Sequence, residues 1–314
     1  MRYYRIVNIL VLILALMPDK VSAQYDVSFA HYFDMQTYFN PAAAGSVPKL
    51  NINAAYAMNL TGFENNPQTA YVSADMPFKA MGTQHGVGIL LMNDKIGLFT
   101  HQRLMAQYAY RIKMAGGWMA LGVQGGLLSE KFDGSGLDLE DSNDPAFAKS
   151  KIDGNSFDLS AGIYYTRSNW YAGISMQHAT SPLITIGELN ELKVDATFYA
   201  TGGCNFKLRN PFLTVATSAL IRTDLVGYRG DVTARLIYSH DGKVLSGGLG
   251  YSPTNSATIY IGGMFRGIML GYSYEVYTNG IGPGNGSHEV HVGYQTDINL
   301  SPKGKNKHQA VRYL

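Results

Sequence analysis

The residues that most resemble a site for chemistry lie near the C-terminal end of the chain. Residues 288–291 form a His-Glu-Val-His run that contains His288, Glu289 and His291. This run is one residue shorter than the zinc-binding pattern, in which the two histidines are four apart. In a strand, residues three apart point to opposite faces, so His288 and His291 cannot bind one metal ion. Glu289 and His291 do share a face, and we interpret them as a hydrogen-bonded polar pair in place of a general base.

Other candidate sites have less support in the sequence. Gly86 and Gly88 resemble the start of a dinucleotide-binding turn, but they lie inside a predicted strand with no helix after it. His101 and His178 are the histidines that an outer-membrane lipase could use, yet neither has a serine and polar partner beside it. Residues 132–154 could bind Ca²⁺ but lack the ordered spacing of an EF-hand and are interpreted as a solvated loop; its candidate ligands are Asp138, Glu140, Asp141 and Asp144. The sequence therefore predicts no enzyme, no cofactor and no bound metal.

The N-terminus has the features of a cleavable export signal. Arg2 and Arg5 precede an apolar run at residues 6–17, which is too short to cross a bilayer as a helix. Small residues at positions 21 and 23 predict cleavage after residue 23. The remaining chain has equal numbers of basic and acidic residues, which gives no electrostatic drive toward nucleic acid.

The rest of the chain alternates between apolar and small or polar residues. In residues 156–166, Phe157 and Leu159 fall on one face of a predicted strand, whereas Asp158 and Ser160 fall on the other. This period of two predicts strands with a lipid-facing side and a polar luminal side. No apolar stretch of eighteen residues follows the signal, so a membrane protein of this kind must cross as a closed barrel.

Segments of this kind predict an all-β transmembrane antiparallel outer-membrane β-barrel of about fourteen strands. An even number is the rule for single-chain bacterial barrels. Both long connections, 132–154 and 179–194, fall on one side, which we expect to be extracellular, whereas the opposite side has short turns. The predicted strands are 50–59, 67–77, 85–93, 98–112, 117–131, 155–167, 170–178, 195–207, 212–222, 230–239, 243–252, 257–265, 268–277 and 286–296.

The predicted organisation has four parts. Residues 1–23 are the signal peptide, 24–49 a periplasmic N-terminal segment or plug, 50–296 the barrel and 297–314 a basic periplasmic tail. The N- and C-termini of the mature chain are both expected on the periplasmic side. The segment 24–49 is rich in aromatic residues, which would expose much apolar area if the segment hung free.

At Asn40-Pro41-Ala42-Ala43-Ala44-Gly45 the chain resembles the PorP/SprF family of the type IX secretion and gliding machinery of Bacteroidetes. Blocks at 91–97, 107–111, 170–173, 271–274 and 286–290 resemble the family in the same order. The resemblance implies an outer-membrane component that acts with translocon and periplasmic machinery proteins, and through them with secreted cargo. The apolar area of the segment 24–49 separately predicts a partner-binding or plug role, for which the candidate residues are Tyr38, Phe39, Asn40, Pro41 and Gly45.

Two functions from different classes fit these observations. The first is a non-enzymatic component that supports export or anchoring of surface proteins by docking the type IX machinery. The alternative is a passive porin or a transporter of hydrophobic compounds, because fourteen strands also suit that class. Occupancy of the lumen distinguishes them: a filled bore favours the docking component, and an open bore or lateral opening favours transport.

Overall fold

The computed structural model of the protein describes residues 25–135, 151–187, 190–280 and 283–298. Within them, fourteen strands form one closed barrel, and two further short strands form a separate hairpin. A short helix, α1 (Gln36–Phe39), and two 3₁₀ turns (Pro41–Ala43 and Pro283–Asn285) complete the structure. The strands are β1 (Leu50–Met58), β2 (Gln68–Ala80), β3 (Thr83–Ile96), β4 (Phe99–Met114), β5 (Gly117–Asp133), β6 (Lys151–Thr166), β7 (Trp170–Gln177), β8 (Leu183–Ile186), β9 (Asn190–Lys193), β10 (Thr197–Lys207), β11 (Leu213–Thr223), β12 (Tyr228–His240), β13 (Lys243–Ser252), β14 (Ser256–Phe265), β15 (Ile268–Tyr277) and β16 (Ser287–Thr296).

The barrel is antiparallel throughout and closes between its first and last strands. The β1–β16 ladder runs from Leu50 opposite Thr296 to Met58 opposite His288. Each of the fourteen predicted strands corresponds to one strand of the barrel, so the predicted fold class is confirmed. The β8–β9 hairpin lies within a predicted loop and was not predicted. Among the residues that the structure describes, no helix has the length and apolar character needed to cross a membrane.

The predicted alternation of faces is confirmed in the barrel wall. On β6, Phe157 and Leu159 point outward with 56% and 42% of their surface exposed, whereas Asp158 and Ser160 point inward and are buried. The outward positions of the other strands are likewise mostly large and apolar. In a soluble protein such a surface would be a liability, but in lipid it is the solvated face.

The two ends of the barrel differ in their connections. One, the short-turn end, has four two-residue turns in which both residues adopt positive φ: Met81-Gly82, Ala115-Gly116, Asp241-Gly242 and Arg266-Gly267. Such turns match the twist of the flanking strands, and a glycine at the second position avoids steric cost. The other, the long-loop end, has the connections 134–150 and 178–196.

Exposed aromatic side chains are common near the short-turn end of the wall. Tyr165 and Trp170 pack together there, with ring centroids 5.1 Å apart. Aromatic rings favour the boundary between hydrocarbon and headgroups, where one edge of the ring is wet. Further exposed rings near this end are Phe206, Phe212, Tyr238, Phe265 and Tyr294.

The lumen holds residues 25–45, here called the luminal segment. At the long-loop end Tyr25 donates a hydrogen bond to Glu130, and at the short-turn end Gly45 lies against the backbone of Gly86. The chain therefore passes along the whole bore before it enters β1. Both termini of the mature chain are predicted to lie on the side of the short turns. Tyr25 lies instead at the opposite end. The C-terminal tail beyond residue 298 lies outside the described residues.

The β8–β9 hairpin folds over the long-loop end. Ile184, Ile186 and Val194 are buried in the same hydrophobic cluster as the aromatic residues of the luminal segment. The hairpin approaches β6 closely, since a Cβ atom at Gly154 would lie 2.1 Å from the backbone oxygen of Thr185. The connection thus covers this mouth of the barrel.

Candidate functional site in the barrel lumen

A buried cluster of charges holds the start of the luminal segment. Asp26 accepts hydrogen bonds from Arg103 at 3.0 Å and from the Tyr199 hydroxyl at 2.8 Å. The Nε2 atom of His178 lies 3.1 Å from the same carboxylate, and its Nδ1 atom lies 2.9 Å from Asp158. The side chains of Asp26, Arg103 and His178 have at most 1% of their surface exposed. Because buried charges are costly unless they are paired, this cluster fixes Asp26 to the wall.

A second buried contact joins the middle of the luminal segment to β16. Glu289 accepts hydrogen bonds from His31 Nδ1 at 2.7 Å and from the backbone nitrogens of Ala30 and His31 at 2.7 and 2.8 Å. His291 stacks on the His31 ring and lies 3.2 Å from the Asn53 side chain. The shared luminal face of Glu289 and His291 is confirmed. The expected bond between them is replaced, because the luminal segment supplies His31 as the partner of Glu289.

The Asn40-Pro41 turn is bonded to the backbone of the wall. The Asn40 amide donates to the carbonyl oxygens of Ile163 at 3.0 Å and Ile174 at 3.2 Å. Its side-chain oxygen accepts a hydrogen bond from the Ala42 nitrogen at 2.9 Å and so caps the 3₁₀ turn. Pro41 starts that turn, where its missing N–H and fixed φ carry no cost. Asparagine is suited to this position because it supplies donors and an acceptor together.

Glycines in the wall make room for this turn. A Cβ atom at Gly86 would lie 1.9 Å, and one at Gly122 2.2 Å, from backbone atoms of the luminal segment. A Cβ atom at Gly162 would lie 2.2 Å from the Asn40 side chain. Gly45 ends the turn with φ +65° and donates its N–H to Asp75 at 2.8 Å. The wall and the turn therefore fit only because these positions lack side chains.

The aromatic residues of the luminal segment pack into the bore. Tyr38 and Phe39 have at most 1% of their surface exposed, and their rings meet edge to face at 4.8 Å. Their backbone oxygens accept hydrogen bonds from the side chains of Ser175 and Gln177. Each buried ring removes about 150–250 Å² from water. The five residues for which a partner-binding or plug role is predicted, namely Tyr38, Phe39, Asn40, Pro41 and Gly45, all lie in this buried region.

The two histidines considered for catalysis, His101 and His178, both contact buried carboxylates. His101 bonds Glu130, which also accepts from Tyr25, and His178 lies between Asp26 and Asp158. No serine hydroxyl is among these contacts. Across residues 25–135, 151–187, 190–280 and 283–298, no group of three or more His, Cys, Asp or Glu side chains is placed to hold a metal ion. The candidate calcium ligands Asp138, Glu140, Asp141 and Asp144 lie outside the described residues.

The bore of this barrel is filled by its own N-terminal segment, whose Asn40-Pro41 turn is bonded to the wall. A family model described as type IX secretion system membrane protein PorP/SprF matches residues 21–294. The chain belongs to the PorP/SprF family. This PorP/SprF protein is accordingly a membrane component of the type IX secretion system, and it is an outer-membrane β-barrel. No protein with a curated description matches it.

Solved barrels with similar folds differ widely from the PorP/SprF chain in sequence. The monoaromatic hydrocarbon channel CymD is 11% identical with a TM-score of 0.51, over 88% of this chain and 95% of CymD. The toluene transporter TbuX of Ralstonia pickettii is 11% identical with a TM-score of 0.49, over 88% of this chain and 96% of TbuX. The outer membrane protein Omp33 of Acinetobacter baumannii is 5% identical with a TM-score of 0.45, over 79% of this chain and 97% of Omp33. At such identities the CymD likeness concerns the fold alone.

Proposed function

We propose that this PorP/SprF barrel is a non-enzymatic docking component, which supports export or anchoring of surface proteins by binding translocon or periplasmic machinery. The observation that carries the proposal is the filled lumen. Secreted cargo would need a wide aqueous path, whereas here residues 25–45 occupy the bore. A barrel without a path of its own contributes to secretion through its surfaces.

The contacts of the luminal segment support its role as a resident plug. They combine the ion pair of Asp26, the hydrogen bonds that Ala30 and His31 donate to Glu289, and the hydrogen bonds that Asn40 donates to the wall. Removing the segment would expose buried aromatic surface and leave several buried charges without partners, which is costly on both counts. We therefore assign Tyr38, Phe39, Asn40, Pro41 and Gly45 to the plug and not to direct partner contact.

The orientation follows the usual arrangement of bacterial barrels, with short turns in the periplasm and long loops outside. In this orientation the end with turns such as Ala115-Gly116 faces the periplasmic machinery. The last strand, β16, ends at Thr296 on the same side, so the basic tail 297–314 starts there. The luminal segment then runs from the extracellular half of the bore at Tyr25 to the periplasmic mouth.

The alternative function, a passive porin or hydrophobic-compound transporter, is favoured by one feature of the wall. The β6–β7 ladder extends only from Ala161 to Thr166 on β6, although β6 itself begins at Lys151. Residues 151–160 of β6 pair with β5 but have no partner on β7, and the β8–β9 hairpin packs against them. Transport through the wall between β6 and β7 would require the hairpin and the luminal segment to move together.

Native purification and a deletion strain test the proposal together. The tagged protein is isolated from the native outer membrane after mild crosslinking, and cargo secretion is compared in the deletion and complemented strains. We expect translocon or periplasmic machinery proteins to co-purify and cargo to stay inside the deletion strain. Normal secretion without the gene contradicts docking, and loss of hydrocarbon uptake in its place supports the alternative.

A further inference from the structure

The short-turn end of the barrel has a strong excess of positive charge. Its acidic residues are Asp241 and Asp297, and only Asp297 forms an ion pair with a lysine, Lys49, at 3.4 Å. The basic residues within three positions of the short connections or at the ends of the barrel chain are Lys49, Lys79, Lys113, Arg167, Lys207, Arg209, Lys243 and Arg266. The sequence adds Lys303, Lys305, Lys307 and Arg312 in the tail that starts at this end.

Ion pairs involve a larger share of the lysines at the long-loop end. There, Lys151 pairs with Asp133 at 3.1 Å and Lys193 with Asp195 at 2.7 Å, whereas Lys95 and Lys131 form no ion pair with a described carboxylate. At the short-turn end, apart from Lys49, the lysines and arginines form no ion pair with a described carboxylate. Unpaired like charges repel one another and raise the potential of the surface that holds them. The asymmetry therefore leaves one mouth of the barrel electropositive.

A cleft at this mouth concentrates the charge. It has a volume of about 740 Å³ and lies between the β4–β5 and β6–β7 turns. The Lys113 ammonium lies over the Trp118 ring, 5.2 Å from its centroid, and the Arg167 side chain lies along Gly116. Hydroxyl groups complete the lining, from Ser46, Thr166 and Ser168.

The β4–β5 turn carbonyls on this cleft are already bonded. The Tyr165 hydroxyl donates to the oxygen of Met114 at 3.2 Å and to that of Ala115 at 3.0 Å. Both charged side chains of the cleft are cations, and its hydroxyl groups can also donate hydrogen bonds, which favours a carboxylate. Behind it, Arg111 occupies the next luminal position of β4, and its buried Nη1 atom has no hydrogen-bond partner among the described residues.

One side of the cleft borders the bore. Ser46 reaches it from the chain that leaves the lumen. Lys113 continues the luminal alternation of Arg103 and Arg111 on β4, and Lys79 continues that of Asp75 on β2. Phospholipid headgroups contact the outward positions of a barrel wall, so Lys79 and Lys113, which continue luminal registers, are placed for a ligand approaching along the barrel axis.

We propose that this cationic mouth, centred on Lys113 and Arg167, docks an acidic segment of a periplasmic protein. The inference rests on the proposed docking function and its orientation, and it adds the surface and the chemistry of the partner. Carboxylates of the partner bind Lys113 and Arg167 in the cleft. The surrounding basic residues steer the encounter, as expected where opposite potentials face each other.

The test places a photo-crosslinking amino acid at Ser168 in cells. Two charge-neutralised variants are compared, K113Q/R167Q in the cleft and K95Q/K131Q at the long-loop end as the matched control. All four side chains are exposed, and a heat-modifiable band confirms that each variant folds. We expect an adduct with an acidic protein segment, reduced roughly tenfold or more by K113Q/R167Q, retained by K95Q/K131Q and restored by K113R/R167K.

Three results overturn the inference: an adduct with phospholipid alone, a protein adduct that survives K113Q/R167Q, or no protein adduct. Cargo secretion in the same strains distinguishes a failure of the docking function from a failure of the cationic mouth alone. If deletion of the gene leaves secretion intact, the proposed docking function fails. If deletion blocks secretion but the adduct does not depend on Lys113 and Arg167, only the cationic mouth fails.

Discussion

The replacement Asp26→Ala tests whether buried charge holds the luminal segment in the bore. Asp26 is the only carboxylate of the segment that bonds Arg103, and it also accepts from Tyr199. Both ionic side chains are fully or almost fully buried. Alanine therefore leaves the Arg103 guanidinium in a water-poor interior without its counter-charge.

The expected cost follows from this burial. Removing one partner of a buried ion pair destabilises a protein by about 3–5 kcal/mol, and each 1.4 kcal/mol changes an equilibrium tenfold. We expect the population with a displaced N-terminal part of the segment to rise by roughly 10² to 10³ or more. The exposed pair Asp133–Lys151 provides the contrast, because such pairs contribute about 0.2–1 kcal/mol.

Thiol labelling measures this displacement. A cysteine in place of buried Val27, in a chain with Cys204→Ser, reacts with a water-soluble maleimide only when the segment leaves its site. Labelling of the detergent-solubilised barrel should be much faster with Asp26→Ala, and unchanged with Asp133→Ala. Equal slow rates for Asp26→Ala and the parent would refute the argument that Asp26 anchors the segment, and rapid labelling of the parent would refute the burial itself.

Other substitutions test the seat, the faces and the topology. Gly122→Ala should unseat the Asn-Pro turn and speed the same labelling, because the new Cβ meets backbone at 2.2 Å, whereas Gly247→Ala, whose nearest neighbour is at 3.7 Å, should not. Leu159→Arg should cost roughly 2–4 kcal/mol of stability in vesicles because it faces lipid, whereas Ser160→Arg should insert but displace the luminal segment; the reverse order would invert the faces. An epitope inserted near Ser142 should be labelled on intact cells, and labelling only after permeabilisation would contradict the topology.

The strands of the barrel were predictable because their signals are local. Alternation with a period of two marks both faces of a strand, and turn residues such as Asp241-Gly242 mark where it ends. The β8–β9 hairpin was missed because four-residue strands such as Leu183–Ile186 are too short to show a clear period.

The site in the lumen was predictable only in outline. The aromatic content of the N-terminal segment indicated that it must be buried, but its path depends on contacts far apart in the chain. Asp26 and Arg103 are 77 residues apart. The sequence around either residue does not identify the other as its partner. An arginine at a luminal position of β4 is itself a signal, because a buried guanidinium requires an anion. The sequence does not say which carboxylate supplies it.

Conductance in planar lipid bilayers tests the filled lumen, and with it the docking function, most directly. We expect the purified full-length protein to insert and to show no ohmic current above the bilayer leak, because residues 25–45 occupy the bore. The Gly122→Ala variant, measured alongside, should show discrete channel openings, which demonstrate that insertion occurred. A steady open-channel conductance from the unmodified protein would contradict the account and favour a porin.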